Sequence, residues 1–234
     1  QDSKLSLRCS EKQVTKTTCI LPWISLDRNS DTSTPAFAPC CLYQSKDPKH
    51  DFDEYWGGEE LKEIRQQMND GQKPSGCWKC YNDEDLGKKS MRQSVNESRL
   101  APHSDLIQKE DSELKPLQVK LLAGASCNLA CRMCGPTDSH TWYEQWLGYH
   151  GGTTYEDPHG TVELKRNTKG RLSTTDYDWH NSETFWEQME KNIPYIEHVY
   201  MAGGEPMMIE RHYEFLQRCI DSGCAKNIMI EYNT

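Results

Sequence analysis

The chain has 234 residues, of which 27 are Lys or Arg and 36 are Asp or Glu, giving a formal net charge of −9. This acidic balance argues against a nucleic-acid partner, because phosphate contacts need clustered basic side chains. No apolar run approaches the roughly 18 residues of a membrane span, and no basic-then-apolar signal segment opens the chain, so we expect a cytoplasmic protein without membrane contact.

The first half of the sequence predicts a hairpin and a helix behind a polar arm. Residues 1–18 are the expected arm, and Trp23–Leu26 and Ala36–Tyr43 are predicted strands around a turn-rich loop. Apolar residues at helical spacing predict a helix that ends near Gly71; they are Leu61, Ile64 and Met68. Another short helix is expected to begin at Ser90.

The second half alternates strand and helix patterns, which favours βαβ units and a parallel sheet. Strands are predicted around Leu117–Leu121, Ile196–Ala202 and Ile228–Tyr232, and helices over Ser139–Leu147, after Ser182, and along an apolar face of Met208, His212, Phe215, Leu216 and Cys219. The charged residues 101–115 predict a linker between two domains. Residues 148–180, rich in Gly, Thr, Asp and Lys, predict a long insertion.

Eleven cysteines are the main compositional signal. An odd number is awkward for a disulfide scaffold, and a cytoplasmic chain would lie in a reducing compartment, so metal binding is the leading interpretation. Three of them, Cys127, Cys131 and Cys134, form a C-x3-C-x2-C loop directly after a predicted strand. Three thiolates on one loop can bind three irons of a [4Fe–4S] cluster and leave the fourth iron open to a ligand. The alternatives are a three-Cys zinc site and chance clustering.

A second motif, Gly203-Gly204-Glu205-Pro206, lies at the carboxyl end of the next predicted core strand. Paired glycines let a ligand approach the backbone, and a carboxylate beside them can bind an ammonium group. Parallel sheets bind ligands at the carboxyl ends of their strands, which favours one site for both motifs.

These two motifs, in this order, resemble the signatures of the radical S-adenosylmethionine (SAM) superfamily. The resemblance implies that Cys127, Cys131 and Cys134 ligate a [4Fe–4S] cluster and that SAM chelates its open iron. The cofactor-binding residues that it implies are Met133, Gly203, Gly204, Glu205, Pro206 and Asn233. The reduced cluster would cleave SAM to methionine and a 5′-deoxyadenosyl radical, which abstracts a hydrogen from the substrate.

Two features depart from the family pattern. The residue before the last cysteine is usually aromatic and here is Met133, whose backbone could still contact adenine. The spacing between Cys134 and Gly203 is also longer than usual, which the predicted insertion would explain.

Further cysteines lie in the first half of the chain: Cys19, Cys40, Cys41, Cys77 and Cys80. Four thiolates that include a C-x2-C pair could bind zinc or a complete iron–sulfur cluster. Their surroundings, such as Cys19-Ile-Leu-Pro-Trp23, Cys77-Trp-Lys-Cys80 and Ser90-Met-Arg92, resemble a Twitch domain, the shortened SPASM module. The resemblance implies an auxiliary [4Fe–4S] cluster, in a module that precedes the barrel here although it normally follows it.

Neighbouring residues on an extended strand face opposite ways, so only one of Cys40 and Cys41 is expected to be a ligand. The family pattern favours Cys40, with Cys41 as its substitute.

The predicted fold class is α/β, with a partial (β/α) radical SAM barrel of about three strand–helix units behind a small α+β Twitch domain. The expected divisions are an arm at 1–18, the Twitch domain at 19–100, the linker at 101–115 and the N-terminal half of the radical SAM core at 116–234. Because the family's barrel has more strand–helix units than this, we expect the chain to be a fragment of a longer enzyme.

The predicted function is that of an oxidoreductase-like radical SAM enzyme with two [4Fe–4S] clusters and SAM. Its expected partners are a small-molecule or peptide substrate and an electron donor such as flavodoxin or ferredoxin. The sequence assigns no catalytic residue. A zinc-stapled structural or binding module is the alternative from another class, and an electron-transfer ferredoxin is disfavoured because three cysteines leave one iron open.

Overall fold

The computed structural model describes residues 15–29, 36–45, 51–122, 124–157, 160–166, 170, 172–173 and 182–234. Most of the predicted N-terminal arm lies outside these residues. The helices are α1 (Leu21–Ile24), α2 (Phe52–Trp56), α3 (Glu59–Asn69), α4 (Trp78–Asp85), α5 (Met91–Asn96), α6 (Tyr143–His150), α7 (Glu183–Asn192) and α8 (Glu210–Asp221). The strands are β1 (Ser25–Asn29), β2 (Ala36–Ala38), β3 (Gln118–Leu122), β4 (Thr154–Asp157), β5 (Gly160–Glu163), β6 (Lys165–Arg166), β7 (Leu172–Ser173), β8 (His198–Ala202) and β9 (Met229–Tyr232). None of the helices in this part of the chain has the length and apolar character of a membrane span.

A five-stranded sheet in the order β2-β1-β3-β8-β9 organises the fold. Only the β1–β2 pair is antiparallel, and the other three pairs are parallel. Helix α7 leads into β8, and helix α8 connects β8 to β9. The predicted α/β class is therefore confirmed, with a mixed, mostly parallel sheet. Leu122 at the end of β3 lies opposite Ala202 at the end of β8, which brings the following segments together.

The predicted hairpin forms, but its strands differ from the prediction. Trp23 lies in α1 because Pro22 favours the first helical turn, and the N–H of Trp23 donates to the carbonyl of Ile20 over 3.0 Å. Strand β2 ends at Ala38, before Pro39, which lacks the N–H that a continued ladder would need. Strand β1 also pairs with β3, which the sequence did not predict.

Several predicted helices begin and end for the expected reasons. Ser90 and Gln93 form a reciprocal capping box at the start of α5. Ser182 caps α7 by accepting from the N–H of Phe185 over 3.3 Å. In α8 the predicted apolar face is buried at His212, Phe215 and Cys219. Met208 was wrongly placed on that face, because it lies in a separate 3-10 turn that begins at Pro206 and is exposed.

The structure adds elements that the sequence did not predict. Helices α2 and α4 were missed, and the predicted insertion contains two small hairpins, β4–β5 and β6–β7. The predicted linker forms 3-10 turns, and Ile107 in the first turn and Leu114 just after the second are buried in the core. Residues on both sides of this segment share one apolar cluster, in which Phe37 stacks on Phe185 with ring centroids 6.2 Å apart. The division into two domains stays a prediction.

Candidate functional site

The first cysteine loop follows β3, and hydrogen bonds from the segment behind it fix its path. The carbonyl of Leu129 accepts from the hydroxyls of Ser139 over 2.6 Å and Thr141 over 2.7 Å. The indole N–H of Trp142 donates to the carbonyl of Cys131 over 3.2 Å. The segment that leads into α6 therefore holds the middle of the loop.

The three cysteines of this loop are near one another at the surface. Cys131 is exposed, while Cys127 and Cys134 are half-buried. Partial burial raises the pKa of the Cys134 thiol, as do the Asp138 carboxylate and the thiols of Cys131 and Cys127. The N–H of Leu129 donates to the sulfur of Cys127 over 3.4 Å. A soft cation would relieve the repulsion among three thiolates gathered in this way.

Two supporting residues of the loop were missed by sequence reasoning. Nδ1 of His140 accepts from the N–H of Cys127 over 3.1 Å, and the N–H of His140 donates to the carbonyl of Ala125 over 2.7 Å. Asp138 accepts from the N–H of Gly135 over 2.9 Å. The available signal was the Asp-Ser-His run behind the loop, because Asp and Ser favour turns and caps.

The Gly-Gly-Glu-Pro motif lies directly against the start of the cysteine loop. Gly204 has φ of +61°, and a Cβ placed on it would lie 2.4 Å from the carbonyl oxygen of Ser126 and 2.8 Å from that of Gly124. The N–H of Glu205 donates to the same oxygen of Ser126 over 2.7 Å. Glycine is the residue that allows this backbone conformation and this close approach together.

The other predicted SAM-site residues lie at the same edge of the sheet. The Glu205 carboxylate accepts from a backbone N–H two residues further along over 3.0 Å, and Pro206 behind it is buried. Met133 is 93% exposed on the loop. Asn233 follows β9, and its N–H donates to the carbonyl of Met201 over 2.9 Å. The residues of the predicted SAM site thus follow the carboxyl ends of β3, β8 and β9.

The second group of cysteines surrounds a small pocket that is partly open to solvent. All four preferred auxiliary ligands line it, namely Cys19, Cys40, Cys77 and Cys80. The remaining wall consists of Leu21, Leu42, Tyr43, Met68, Met91 and Arg92. We call this feature the cysteine pocket. Its thiols come from the start of α1, the turn behind β2 and the start of α4.

Three thiols of the cysteine pocket, those of Cys19, Cys40 and Cys77, have raised pKa values. Burial raises the pKa of Cys19 and of Cys77 to about 12, and it raises that of Cys40 well above the ordinary thiol value. Nearby thiols act in the same direction, with Cys80 affecting Cys19 and Cys19 affecting both Cys40 and Cys77. The positive charge of Arg92 opposes them at Cys19 and Cys77. A bound cationic centre would supply the missing compensation for four thiolates.

Cys40 and Cys41 occupy different surroundings. Cys40 lines the cysteine pocket, whereas Cys41 is hydrogen-bonded to Lys120 and lies near Asp27. The amine of Lys120 lies 3.4 Å from Oδ2 of Asp27. The predicted extended strand at this point is wrong, because the N–H of Tyr43 closes a turn on the Cys40 carbonyl over 3.2 Å. The turn nevertheless separates the two thiols.

The structure therefore brings together both predicted cysteine sets, three thiols on a surface loop and four around a pocket. Within the ranges described above, no three His, Cys, Asp or Glu side chains form a group that could hold a metal ion directly. Comparison of the chain with protein-family models, curated proteins and solved structures finds no match.

Proposed function

We propose that the chain binds a [4Fe–4S] cluster and SAM as a radical SAM enzyme. In this proposal Cys127, Cys131 and Cys134 ligate three irons and leave the fourth to SAM. Strands β3, β8 and β9 would belong to a (β/α) barrel, and residues 19–100 would form a Twitch domain whose auxiliary cluster occupies the cysteine pocket.

The observation that carries the proposal is the contact between two motifs that are far apart in sequence. Gly204 packs against the carbonyl of Ser126, and Glu205 hydrogen-bonds to the same group just before Cys127. A set of soft ligands for iron therefore lies beside a carboxylate and two half-buried glycines. A ligand with both metal-chelating atoms and an ammonium group, such as the methionine part of SAM, would span them.

The chain's own residues would bind and orient the cofactor. Gly203 and Gly204 are half-buried glycines with positive φ, and the hydrogen bond from the N–H of Met207 fixes the Glu205 carboxylate that would accept the ammonium. Met133 and Asn233 would approach the adenosyl part from the loop and from β9. A reduced cluster, when bound, would supply the electron that divides SAM into methionine and a 5′-deoxyadenosyl radical, which takes a hydrogen atom from the substrate.

The electron and the substrate would come from partners outside this chain. Cys131 is exposed, so an electron donor such as flavodoxin or ferredoxin would approach the bound cluster from this side of the loop. A small molecule or a peptide is the proposed substrate class.

The test is anaerobic reconstitution of the full chain, with measurement of iron, sulfide and zinc, followed by EPR of the reduced protein with and without SAM. We expect about eight irons for two [4Fe–4S] clusters and a signal that changes on adding SAM. Glu205→Ala should abolish that change at unaltered iron content. Glu210→Ala, an exposed carboxylate in the first turn of α8, is the matched control and should respond like the wild type. Zinc without iron, or a Glu205→Ala variant that still responds to SAM, would overturn the proposal.

A further inference from the structure

Among the described residues that line the cysteine pocket, Arg92 is the one cation, and each of its three guanidinium nitrogens donates a hydrogen bond. Arg92 in α5 is 7% exposed, and its Nη1 donates to the carbonyl of Thr18 over 2.7 Å. Its Nε and Nη2 donate to the two oxygens of Glu84 over 3.0 and 2.6 Å. The guanidinium also lies 5.4 Å from the ring centroid of Tyr81. A planar fork bonded on several sides has little freedom to turn away from the pocket.

A second side chain of α5 completes the contact with the backbone around Cys19. The amide of Asn96 donates to the same Thr18 carbonyl over 2.7 Å, and its oxygen accepts from the N–H of Ile20 over 3.0 Å. Arg92 and Asn96 are four residues apart and lie on one face of the helix. The peptide groups on both sides of Cys19 are therefore fixed by α5, although Cys19 is far from this helix in sequence.

Glu84 holds the guanidinium but does not remove its influence on the thiols. The carboxylate lies outside the pocket wall, and the hydroxyl of Ser90 also donates to it over 2.5 Å. Arg92 itself lines the pocket beside Cys19 and Cys77. The guanidinium is nevertheless close enough to Cys19 and Cys77 for its charge to lower the pKa of both thiols.

We infer that Arg92 is a positioning residue for the auxiliary cluster. Together with Asn96 it holds Cys19 in place, and its charge stabilises the more negative, reduced state of the cluster. This inference rests on the proposed auxiliary cluster. A four-thiolate cluster is anionic and gains negative charge on reduction, so a nearby fixed cation raises its reduction potential.

The test isolates the auxiliary cluster in the full chain by replacing Cys127, Cys131 and Cys134 with Ala. The reduction potential is then measured by an EPR-monitored redox titration in three forms: Arg92, Arg92→Lys and Arg92→Gln. We expect Arg92→Gln to lower the equilibrium constant for one-electron reduction of the cluster about tenfold, which corresponds to a reduction potential lower by about 59 mV. Arg92→Lys keeps the charge and should retain most of the potential, while its EPR line shape changes because the bidentate contact is lost.

The matched control is Arg65→Gln. Arg65 is 3% exposed and donates to the Pro22 carbonyl over 2.9 Å and to Asp111 over 3.0 Å, but it does not line the cysteine pocket. The Arg65→Gln variant should lose stability, as Arg92→Gln does, but the reduction potential of its auxiliary cluster should be unchanged.

Each outcome separates the inference from the proposed function. A starting form that takes up no iron overturns the auxiliary cluster, and the role of Arg92 with it. A cluster of normal iron content whose potential is the same in all three forms overturns the role of Arg92 alone. If Arg92→Gln binds no iron, the Arg92→Lys form decides: an unchanged line shape would contradict the positioning role.

Discussion

The two cysteine sets are built in opposite ways. The cysteine pocket gathers thiols from distant parts of the chain and encloses them among buried side chains such as Met68. The loop set places three thiols within eight residues and leaves Cys131 exposed. Global packing therefore forms the first set, whereas local hydrogen bonds and one neighbouring strand form the second.

This difference matches the chemistry proposed for each set. As proposed ligands, the four thiols around the pocket would be a complete set with no position for a substrate, as expected of a structural or electron-transfer centre. In the proposal, the three thiols that follow β3 would leave one iron of their cluster free for a ligand held by Glu205. If this comparison is right, perturbing the core should affect the pocket, and perturbing the strand ends should affect the loop.

The largest expected effect is on metal content. Cys40→Ser should remove the auxiliary cluster, lowering the iron content by about four atoms per chain, because one of four ligands is lost. Cys41→Ser should retain full iron, since that thiol contacts Lys120 outside the pocket. Iron and sulfide analysis after reconstitution measures both variants, and loss of iron in Cys41→Ser alone would reverse the assignment.

The next largest effect concerns the contact between the strand ends. In Gly204→Ala the new methyl group would lie 2.4 Å from the oxygen of Ser126, in a backbone conformation with φ of +61°. We expect a loss of about 3 kcal/mol in the free energy of unfolding, from overpacking and backbone strain together. The variant should also lose the EPR response to SAM while the auxiliary cluster still loads.

Gly223→Ala provides the control for that variant. Gly223 has φ of +72° with nothing within 4 Å of an added Cβ, so only the backbone strain remains. We expect a loss of about 1 kcal/mol and no effect on SAM. Urea unfolding compares the two, and equal losses would mean that the close approach at Gly204 is unimportant.

The sequence predicts the same ligands for the loop and for the pocket as the structure groups together, but only the loop has a local pattern that explains its grouping. The loop cysteines are close in sequence, and the parallel order of β3 and β8 follows from alternating strand and helix patterns. The pocket requires β1 to pair with β3 and α5 to reach back to Thr18, and neither contact has a local signature. Side-chain networks such as Arg92–Glu84 become visible only when the fold has assembled them.

A smaller effect is expected at the helix cap beside the pocket. Ser90 accepts from the N–H of Gln93 and also donates to Glu84, whereas Ser182, at the start of α7, only caps its helix among the contacts described. Ser90→Ala should therefore cost about 2 kcal/mol and Ser182→Ala about 1 kcal/mol in the free energy of unfolding. Thermal or urea unfolding measures the difference. Equal costs would show that the bond to Glu84 contributes little.

The smallest expected effect is a pH dependence that arises on the β9 side of the sheet, away from the cysteine pocket. Burial lowers the pKa of His212, whose Nε2 is hydrogen-bonded to the hydroxyl of Tyr232 at the end of β9. The unfolded chain therefore binds more protons than the folded chain below the ordinary histidine value of 6.5. Stability should be fully present above pH 6.5 and decrease as the pH falls below it.

Burial is also the main cause that lowers the pKa of His198 on β8. His198 therefore affects stability in the same direction, and the contributions of the two histidines must be measured separately. His212→Gln removes one titrating group while keeping an amide that can bond to Tyr232, and it should flatten part of the decrease between pH 7 and pH 5. Hydrogen exchange of β9 amides over this range locates the effect. Exchange that rises equally in α3, beside the pocket, would mean that the two regions unfold as one unit. The pocket and the β9 side of the sheet would then differ in how their residues are assembled but not in their stability.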